Sequence, residues 1–331
     1  METGTADFCL TGATGFVGSW VAQALCDQQA QVTCIIRPTS NLRWLEHLNV
    51  SLVRASLLDA GSLRHPLRET RFLFHIAGVT KANHPYQYYQ GNVETTATIL
   101  EAAYRYGKKI EHILVLSSQA AAGPSPGPEP IDEAAPCRPV SEYGKSKYRA
   151  EQVAREWMDR LPITILRPPA VYGPRDTDVL EVFKNVARGW DLRVGRTEQQ
   201  VSLIQVRDLA RGIILAGTHP DAVGQTYFIA DPQPYFWSQV VEWLARLMKR
   251  TVRTIRVPII LAYAVATLAE AWSAFSGKPG IINRDKIKEV AHPYWVVSAD
   301  KIARELGFVT QIELQAGLEE TYRWYREQQW L

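Results

Sequence analysis

The chain has 331 residues, of which 46% are hydrophobic and 21% are charged, so it is longer than one typical domain and can bury a large core. Its formal net charge is only +3, and because its lysines and arginines are scattered among acids, we expect no nucleic acid partner. The four cysteines have neither C-x-x-C spacing nor histidines at ligand spacing, which favours reduced packing residues without a metal.

The amino-terminal region contains no recognisable secretion signal and begins with a strand pattern. Residues 1–5 lack the basic and apolar pattern of such a signal, so we expect a cytoplasmic protein.

Residues 8–10 are apolar, and three glycines follow at the spacing of a strand, a turn and a helix. Gly12 permits a tight turn, Gly15 lets a pyrophosphate approach the backbone, and Gly18 lets the helix pack close to the sheet. The pattern predicts a β-α-β unit that binds a dinucleotide.

The residue that ends the second predicted strand bears on which dinucleotide is bound. Enzymes that prefer NAD usually have an acid there to bind the ribose hydroxyls, whereas an arginine can accept the extra phosphate of NADP. Arg37 stands at this position, with Ser40 and Arg43 close behind it. We therefore expect NADP (as NADPH) to be favoured over NAD, although an arginine here can also simply stack on the adenine.

Two serines and a proline-rich stretch follow a later buried strand pattern. Residues 113–116 are apolar, and Ser117 and Ser118 come directly after them. Residues 123–130 contain four prolines and two glycines, so they cannot form a helix or a central strand. This loop should border a cleft, either as a plain surface loop or as a segment that gates a substrate.

A tyrosine and a lysine stand four residues apart at the start of a predicted helix. Side chains at this spacing share one helix face, so the Lys147 ammonium can lie near the Tyr143 hydroxyl. A nearby cation favours the phenolate and lowers the pKa of a tyrosine towards the range useful for proton transfer. The alternative interpretation of this spacing alone is a solvated helix face.

Taken together, these motifs resemble those of the extended short-chain dehydrogenases/reductases, a group that includes nucleotide-sugar epimerases and dehydratases, dihydroflavonol reductases and 3β-hydroxysteroid dehydrogenases. The resemblance covers nearly the whole chain, and its motifs occur in the family's order. They are the T-G-x-x-G-x-x-G pattern at 11–18, the segment 75–78, Asn92 and Val93 at the expected start of a helix, the Tyr143 and Lys147 pair, and the segment 167–174.

The resemblance implies roles for individual residues. Ser118, Tyr143 and Lys147 would be catalytic; Ser118 is assigned by its distance from Gly123, and Ser117 is the fallback. Ser118, Gln119 and Tyr172 would contact the substrate. The residues implied to bind the cofactor are Gly12, Thr14, Gly15, Phe16, Val17, Gly18, Arg37, Ala77, Gly78, Asn92, Ser117, Tyr143, Lys147, Pro168 and Val171.

The resemblance also implies a fold and an assembly. We expect an α/β protein with a Rossmann-type doubly wound parallel sheet and a smaller, mostly carboxyl-terminal cap that binds the substrate. The nucleotide-binding domain would comprise 1–170 and 201–230, and the cap would comprise 171–200 and 231–331. The family habit is a homodimer formed through the helices near Asn92 and Tyr143.

An apolar segment at 257–275 stands out in the predicted cap. It contains Tyr263, Trp272 and Phe275, and Glu270 is its only charged residue. Pro258 and Glu270 make it a poor transmembrane candidate. It is interpreted as a buried cap helix, as the wall of an apolar pocket, or as an interfacial helix with weak contact to a membrane surface.

The implied reaction is hydride transfer between a nicotinamide and a carbon that bears oxygen, with Tyr143 as the acid or base. Dehydration is not expected, because residues 118–120 lack the acid pair of the dehydratases. We favour a fairly apolar ketone or alcohol, steroid-like or otherwise hydrophobic, as the small-molecule substrate. The alternatives are a nucleotide-sugar 4-epimerase, in which Arg193 and Arg196 would bind the diphosphate, and a non-catalytic sensor that binds NADP.

Overall fold

The structure is a computed structural model that describes residues 7–276 and 284–331; of Asp7 and residues 270–276 it describes the backbone alone. The expectations for the side chains of Glu270, Trp272 and Phe275 therefore lie outside the described part. The strands are β1 Asp7–Thr11, β2 Gln31–Ile36, β3 Ser51–Arg54, β4 Phe72–His75, β5 His112–Leu116, β6 Ile163–Arg167, β7 Ala170–Tyr172, β8 Trp190–Val194, β9 Gln200–Val201, β10 Leu203–Gln205, β11 Thr226–Phe228, β12 Tyr235–Phe236, β13 Arg253–Val257 and β14 Tyr294–Trp295. The helices are α1 Phe16–Asp27, α2 Arg64–Leu67, α3 Pro85–Tyr88, α4 Thr95–Tyr106, α5 Gln119–Ala122, α6 Glu142–Glu156, α7 Leu180–Ala187, α8 Val206–Ala216, α9 Trp237–Leu247, α10 Ile259–Ser276, α11 Arg284–Val290, α12 Asp300–Leu306 and α13 Leu314–Glu327.

A seven-stranded parallel sheet in the order β11-β6-β5-β4-β1-β2-β3 forms the centre of the molecule. Every residue of β5 and β6 is buried, because helices cover both faces of the sheet, and most of these residues are apolar. Strand order reverses between β1 and β4, and ligands bind at this kind of switch point. The prediction of a doubly wound parallel sheet is confirmed.

Two apolar cores flank the sheet. On one face, Val21 of α1 and Ile213 of α8 pack with Ile302 of α12. On the other face, Ile99 of α4 packs with Ala154 of α6. The helix α12 therefore covers the sheet although its residues lie within the range 231–331 predicted for the cap. The proposed division of the chain into two domains otherwise stays a prediction.

The helix that precedes β5 begins earlier than the sequence predicted. Asn92 was expected to open it, but α3, a π-helical turn Tyr89–Glu94 and α4 form one continuous helical segment. Pro85 occupies its first turn, and the Gln87 side chain accepts the backbone N–H groups of Asn83 and His84 at 2.9 and 3.0 Å. Asn92 therefore lies inside the helix, in a π turn of the kind often found at functional sites.

The remaining elements build a smaller unit beside the carboxyl ends of the sheet. Its core contains Phe183 of α7, Leu244 of α9, and Leu318 and Tyr325 of α13. A parallel ribbon of β8 and β13 and a three-stranded sheet in the order β12-β9-β14 complete it. Within 7–276 and 284–331, none of the helices has both the length and the apolarity needed to cross a membrane.

Candidate active site

The glycine turn between β1 and α1 has the close approaches that its sequence predicts. Gly12 has a φ of +77°, and a Cβ there would lie 2.6 Å from the backbone nitrogen of Ala77. A Cβ at Gly18 would lie 2.2 Å from the Gly12 carbonyl oxygen. Gly15 is the N-cap of α1 and has no side chain to occupy the helix terminus. The first N–H groups of α1, from Phe16 onward, therefore stay available to an anion.

The loop after β4 is tied to the helix α6 by Asn92. The Asn92 Oδ1 accepts the Val79 N–H at 2.7 Å, and its Nδ2 donates to the Val79 carbonyl at 3.0 Å and to Ser146 Oγ at 2.9 Å. A Cβ at Gly78 would lie 2.9 Å from Asn92 Oδ1 and 3.7 Å from Lys147 Nζ. Asn92 thus holds the loop that contains Ala77 and Gly78. This loop faces the start of α1 and forms one wall of the cleft.

Arg37 lies at the carboxyl end of β2, beside the glycine turn. Its N–H donates to Ser40 Oγ at 3.1 Å, and the Ser40 N–H donates to the Arg37 carbonyl at 3.0 Å. These two bonds close a tight turn and leave the guanidinium at the exposed edge of the sheet. The position suits contact with the adenosine end of a dinucleotide that crosses this edge.

Ser118 and Tyr143 are brought together by the close packing of α5 and α6. Ser118 caps α5, where its Oγ accepts the Ala120 N–H at 3.1 Å, and Ser141 caps α6, where its Oγ accepts the Gly144 N–H at 2.9 Å. A Cβ at Gly144 would lie 2.4 Å from the Ala120 carbonyl oxygen, so a glycine is needed at this contact. Tyr143 is the second residue of α6, and its phenol hydrogen-bonds the Ser118 hydroxyl.

The pKa of Tyr143 moves in the opposite direction to the prediction. Burial raises the pKa of the phenol to about 12, while the Ser118 hydrogen bond lowers it and the carboxylates Glu289 and Asp178 raise it further. The predicted lowering by Lys147 is therefore wrong for this structure. The Lys147 Nζ donates to the Leu116 carbonyl at 2.6 Å, and burial lowers the pKa of Lys147 to about 8.

Ser117 belongs to a buried ion-pair network rather than to the open cleft. Its Oγ donates to Glu151 Oε1 at 2.5 Å. Arg167 donates to the same carboxylate through Nε at 2.8 Å and Nη2 at 2.6 Å, and both side chains are at most 2% exposed. Glu151 was missed by the sequence analysis, although it stands four residues after Lys147 on the same helix face.

The other residues predicted at the site lie after β6 and β5. The Pro168 carbonyl accepts the Gln119 N–H at 2.8 Å, which joins these two strand ends. Gln119 is buried, and within the described residues its Nε2 has no hydrogen-bond partner. Val171 packs partly buried against the core that includes α1. Tyr172 lies in the core of the smaller unit, where its hydroxyl lies against Gly317.

Acidic residues of α11 hold the start of α6, and no sequence pattern indicates them. The Asp285 carboxylate accepts the Glu142 N–H at 2.8 and 2.9 Å and the Tyr143 N–H at 3.3 Å. Glu289 Oε1 accepts the Ser141 hydroxyl at 2.7 Å. Negative charge at a helix amino terminus is favourable, so these contacts stabilise the turn that carries Tyr143.

Positive charge also lies beside the first turns of α1. Arg175 donates from Nη1 to Ser19 Oγ at 3.1 Å, and its guanidinium stacks 4.2 Å from the centre of the Trp20 ring. The guanidinium of Arg207 lies 5.3 Å from the centre of the same ring. Burial, followed by the charge of Arg207, lowers the pKa of Arg175 to about 10. Arg175 and Arg207 were missed by the sequence analysis, because the fold alone places them next to α1.

Comparison with known proteins agrees with this geometry. A model of the NAD dependent epimerase/dehydratase family matches residues 8–230. A ceramide reductase of Caulobacter vibrioides (strain NA1000 / CB15N) is 27% identical over 322 residues, which covers 97% of this chain and 95% of the relative. An N-acetyl-alpha-D-glucosaminyl-diphospho-ditrans,octacis-undecaprenol 4-epimerase of Escherichia coli O157:H7 is 26% identical over 242 residues, 72% of this chain and 71% of that protein. The crystal structure of gox2253 is 26% identical, with a TM-score of 0.81 and coverage of 98% and 99%.

Proposed function

The chain belongs to the NAD dependent epimerase/dehydratase family, and from this premise we propose that it moves a hydride between NADP(H) and the carbonyl or alcohol carbon of a fairly apolar substrate. The observation that carries the proposal is the Tyr143 phenol, hydrogen-bonded to Ser118 and one helical turn from Lys147. A phenol held next to a second hydroxyl can pass a proton to a substrate oxygen that binds between them.

In the proposed mechanism, the bound cofactor supplies the hydride and the chain supplies the proton. Ser118 would hydrogen-bond the substrate oxygen, and Tyr143 would donate its phenolic proton to that oxygen during reduction or remove a proton during oxidation. Burial raises the pKa of Tyr143 to about 12, which keeps the phenol protonated and supports its role as the acid. The buried Lys147 ammonium would bind the cofactor ribose and so hold the nicotinamide near Tyr143.

The residues that would hold the cofactor fit a dinucleotide. The open start of α1 at Thr14, Gly15, Phe16 and Val17 suits a pyrophosphate, because its uncapped N–H groups attract negative charge. Arg175 would add a cation there. The turn itself needs glycine at positions 12 and 18, where a Cβ would collide with neighbouring backbone. The backbone at Pro168 and Val171 would contact the carboxamide, at the end of the cleft that holds Tyr143.

Two observations support an apolar substrate rather than a nucleotide sugar. Arg193, which the epimerase alternative needs for the diphosphate, donates to Asp191 at 2.6 Å and to Glu198 at 2.6 Å, so its charge is already compensated inside the protein. The similar protein of Caulobacter vibrioides is named for ceramide, an apolar compound. The similarity to a 4-epimerase keeps that reaction as the second candidate.

Turnover against two substrate panels tests the proposed reaction. Purified protein is incubated with NADPH and hydrophobic ketones, or with NADP and the corresponding alcohols, and separately with UDP- and dTDP-sugars. We expect cofactor absorbance to change only with the hydrophobic panel. Conversion of a UDP-sugar to its 4-epimer, with the hydrophobic panel inert, would replace the proposal by the epimerase. Tight NADPH binding without turnover of either panel would favour the non-catalytic sensor.

The proposed preference for NADP depends on Arg37. Replacing Arg37 by Ala removes the guanidinium next to the expected 2′-phosphate, a charge-assisted contact of about 1.5–3 kcal/mol. We expect the Kd for NADPH, measured by nicotinamide fluorescence, to rise about 10- to 100-fold in R37A, with little change for NADH. The matched control is Arg68→Ala. Arg68 is an exposed arginine just before β4, at the amino-terminal ends of the strands, whereas Arg37 lies at their carboxyl-terminal ends. Equal Kd values for NADPH and NADH in the unaltered protein would contradict the preference.

A further inference from the structure

Among the α10 residues whose side chains the structure describes, the two buried ones are alanines and the exposed ones include large aliphatic residues, while Tyr263 is partly buried. Ala262 and Ala266 are buried and pack with Ile287 of α11. Ile260 is 82% exposed and Leu268 is 73% exposed. An ordinary surface helix has the reverse arrangement, with aliphatic side chains towards the core and polar ones outside. The outward face of α10 therefore has the composition of a surface that is covered by something apolar.

Five exposed apolar residues of α10 form one face. At 100° per residue, they lie within an arc of about 140°, and the exposed Ile259 and Thr267 lie outside it. The members of this face, which we call the α10 face, are Ile260, Leu261, Ala264, Val265 and Leu268. On the β8–β13 ribbon that precedes α10 in the fold, Leu192 pairs with Ile255, and both are exposed, as is Trp190. Five exposed apolar residues on one helix face exceed the scattered apolar residues of an ordinary surface.

The chain segment that leads into the α10 face is basic, and the first acid that follows it in the sequence is Glu270. Between 249 and 269 the chain contains four basic residues and neither aspartate nor glutamate. These residues, Lys249, Arg250, Arg253 and Arg256, are all exposed. Aliphatic side chains flanked by arginine and lysine match the two layers of a lipid surface, in which acyl chains lie beneath anionic headgroups.

We propose that the α10 face, with the basic residues 249–256, docks on the surface of a membrane that contains anionic phospholipids. The helix lies on the bilayer and does not cross it, because its inward face packs against α11. A protein partner would need acidic groups opposite four exposed cations, whereas a bilayer supplies anionic charge and an apolar layer together. The inference uses surface residues and stands independently of the proposed reaction.

Docking at this face would place the membrane close to the catalytic helix. The helix α11 packs between α10 and the start of α6, where Asp285 accepts the Tyr143 N–H. One helix therefore separates the lipid surface from the turn that carries Tyr143. A substrate dissolved in the bilayer would reach this side of the protein without crossing a wide aqueous gap.

Vesicle flotation with the full chain tests the proposal. We expect the protein to float with vesicles of phosphatidylcholine mixed with phosphatidylglycerol, to bind phosphatidylcholine alone more weakly, and to dissociate as salt is raised. The double variant Ile260→Ser with Leu268→Ser should weaken binding by at least about tenfold, because it removes two aliphatic side chains from the apolar contact. Arg250→Gln with Arg253→Gln should weaken binding to the anionic vesicles alone.

A matched control separates docking from a general change in surface hydrophobicity. Leu58 and Val309 are 49% and 67% exposed on the other unit, and the double variant Leu58→Ser with Val309→Ser should bind vesicles like the unaltered protein. Failure of the unaltered protein to bind anionic vesicles would overturn the proposal. So would unchanged binding by the Ile260 and Leu268 variant. Conversion of a dimer into monomers by that variant, without vesicle binding by its parent, would assign the face to a second copy of the chain instead.

Discussion

Replacing Tyr143 by Phe is expected to lower kcat by about 100- to 10,000-fold, because the variant keeps the ring but loses the proton that the substrate oxygen receives. Cofactor binding should stay nearly unchanged, since Lys147, the glycine turn and Arg37 are untouched. The measurement pairs steady-state turnover of a hydrophobic ketone with fluorescence titration by NADPH. A loss confined to kcat indicates a group that acts on the reacting atoms.

The control for this variant is Tyr148→Phe, which removes a phenol from the same helix α6 but outside the site. It should retain the turnover and the NADPH affinity of the unaltered protein. Substantial residual turnover in Tyr143→Phe, within about tenfold of the unaltered protein, would remove Tyr143 from the role of general acid. Loss of NADPH binding in the same variant would instead assign Tyr143 to cofactor positioning.

Replacing Glu151 by Ala should lower the free energy of unfolding by about 3–5 kcal/mol, because it leaves the Arg167 guanidinium buried without its counter-charge. Arg167 and Glu151 are joined by two hydrogen bonds of 2.8 and 2.6 Å, and Ser117 donates to the same carboxylate. The measurement is urea unfolding followed by intrinsic fluorescence. Loss of the network should also loosen Ser117, which stands next to Ser118, the residue proposed to bind the substrate oxygen.

Two further variants show whether the uncompensated charge is the cause. Glu101→Ala breaks an exposed pair with Arg105 and should cost at most about 1 kcal/mol. The double variant Glu151→Leu with Arg167→Met removes both charges and should be more stable than Glu151→Ala. Equal free energies of unfolding for Glu151→Ala and Glu101→Ala would show that the buried pair contributes no more to stability than the exposed one.

The sequence predicted those parts of the site that depend on local geometry. The glycines at 12, 15 and 18 act within one turn, and the spacing of Tyr143 and Lys147 is a property of one helix. The strands β5 and β6 are mostly apolar, so the burial of their aliphatic residues follows from composition, whereas the burial of Arg167 depends on its ion pair with Glu151. Ser118 was assigned by counting along the chain, and its hydrogen bond to Tyr143 supports that choice over Ser117.

Features that depend on distant contacts could not be predicted. Asp285 accepts N–H groups about 140 residues away in the chain, and no local pattern indicates that α11 meets α6. The direction of the Tyr143 pKa depends on how deeply the phenol is buried, which spacing does not give. The start of the helix at Pro85 was missed because the π-helical turn at Asn92 interrupts the ordinary 3.6-residue period.

The part of the chain predicted to form the cap was the least predictable from sequence. The α10 segment is largely apolar, so its composition fits a buried helix and an interfacial helix equally well. Only the packing of Ala262 and Ala266 shows which side faces inward. Arg193 likewise looked available for a diphosphate until its bonds to Asp191 and Glu198 were seen.

The most direct test of the account follows the hydrogen that is transferred. Protein is incubated with NADPH that carries deuterium at both C4 positions of the nicotinamide and with a hydrophobic ketone from the turnover panel, and the alcohol formed is analysed by mass spectrometry. We expect one deuterium on the new carbinol carbon of the product, and about 100- to 10,000-fold slower formation of this alcohol when Tyr143→Phe replaces the unaltered protein. An alcohol without deuterium, or oxidised cofactor without alcohol, would contradict hydride transfer to an apolar carbonyl at this site.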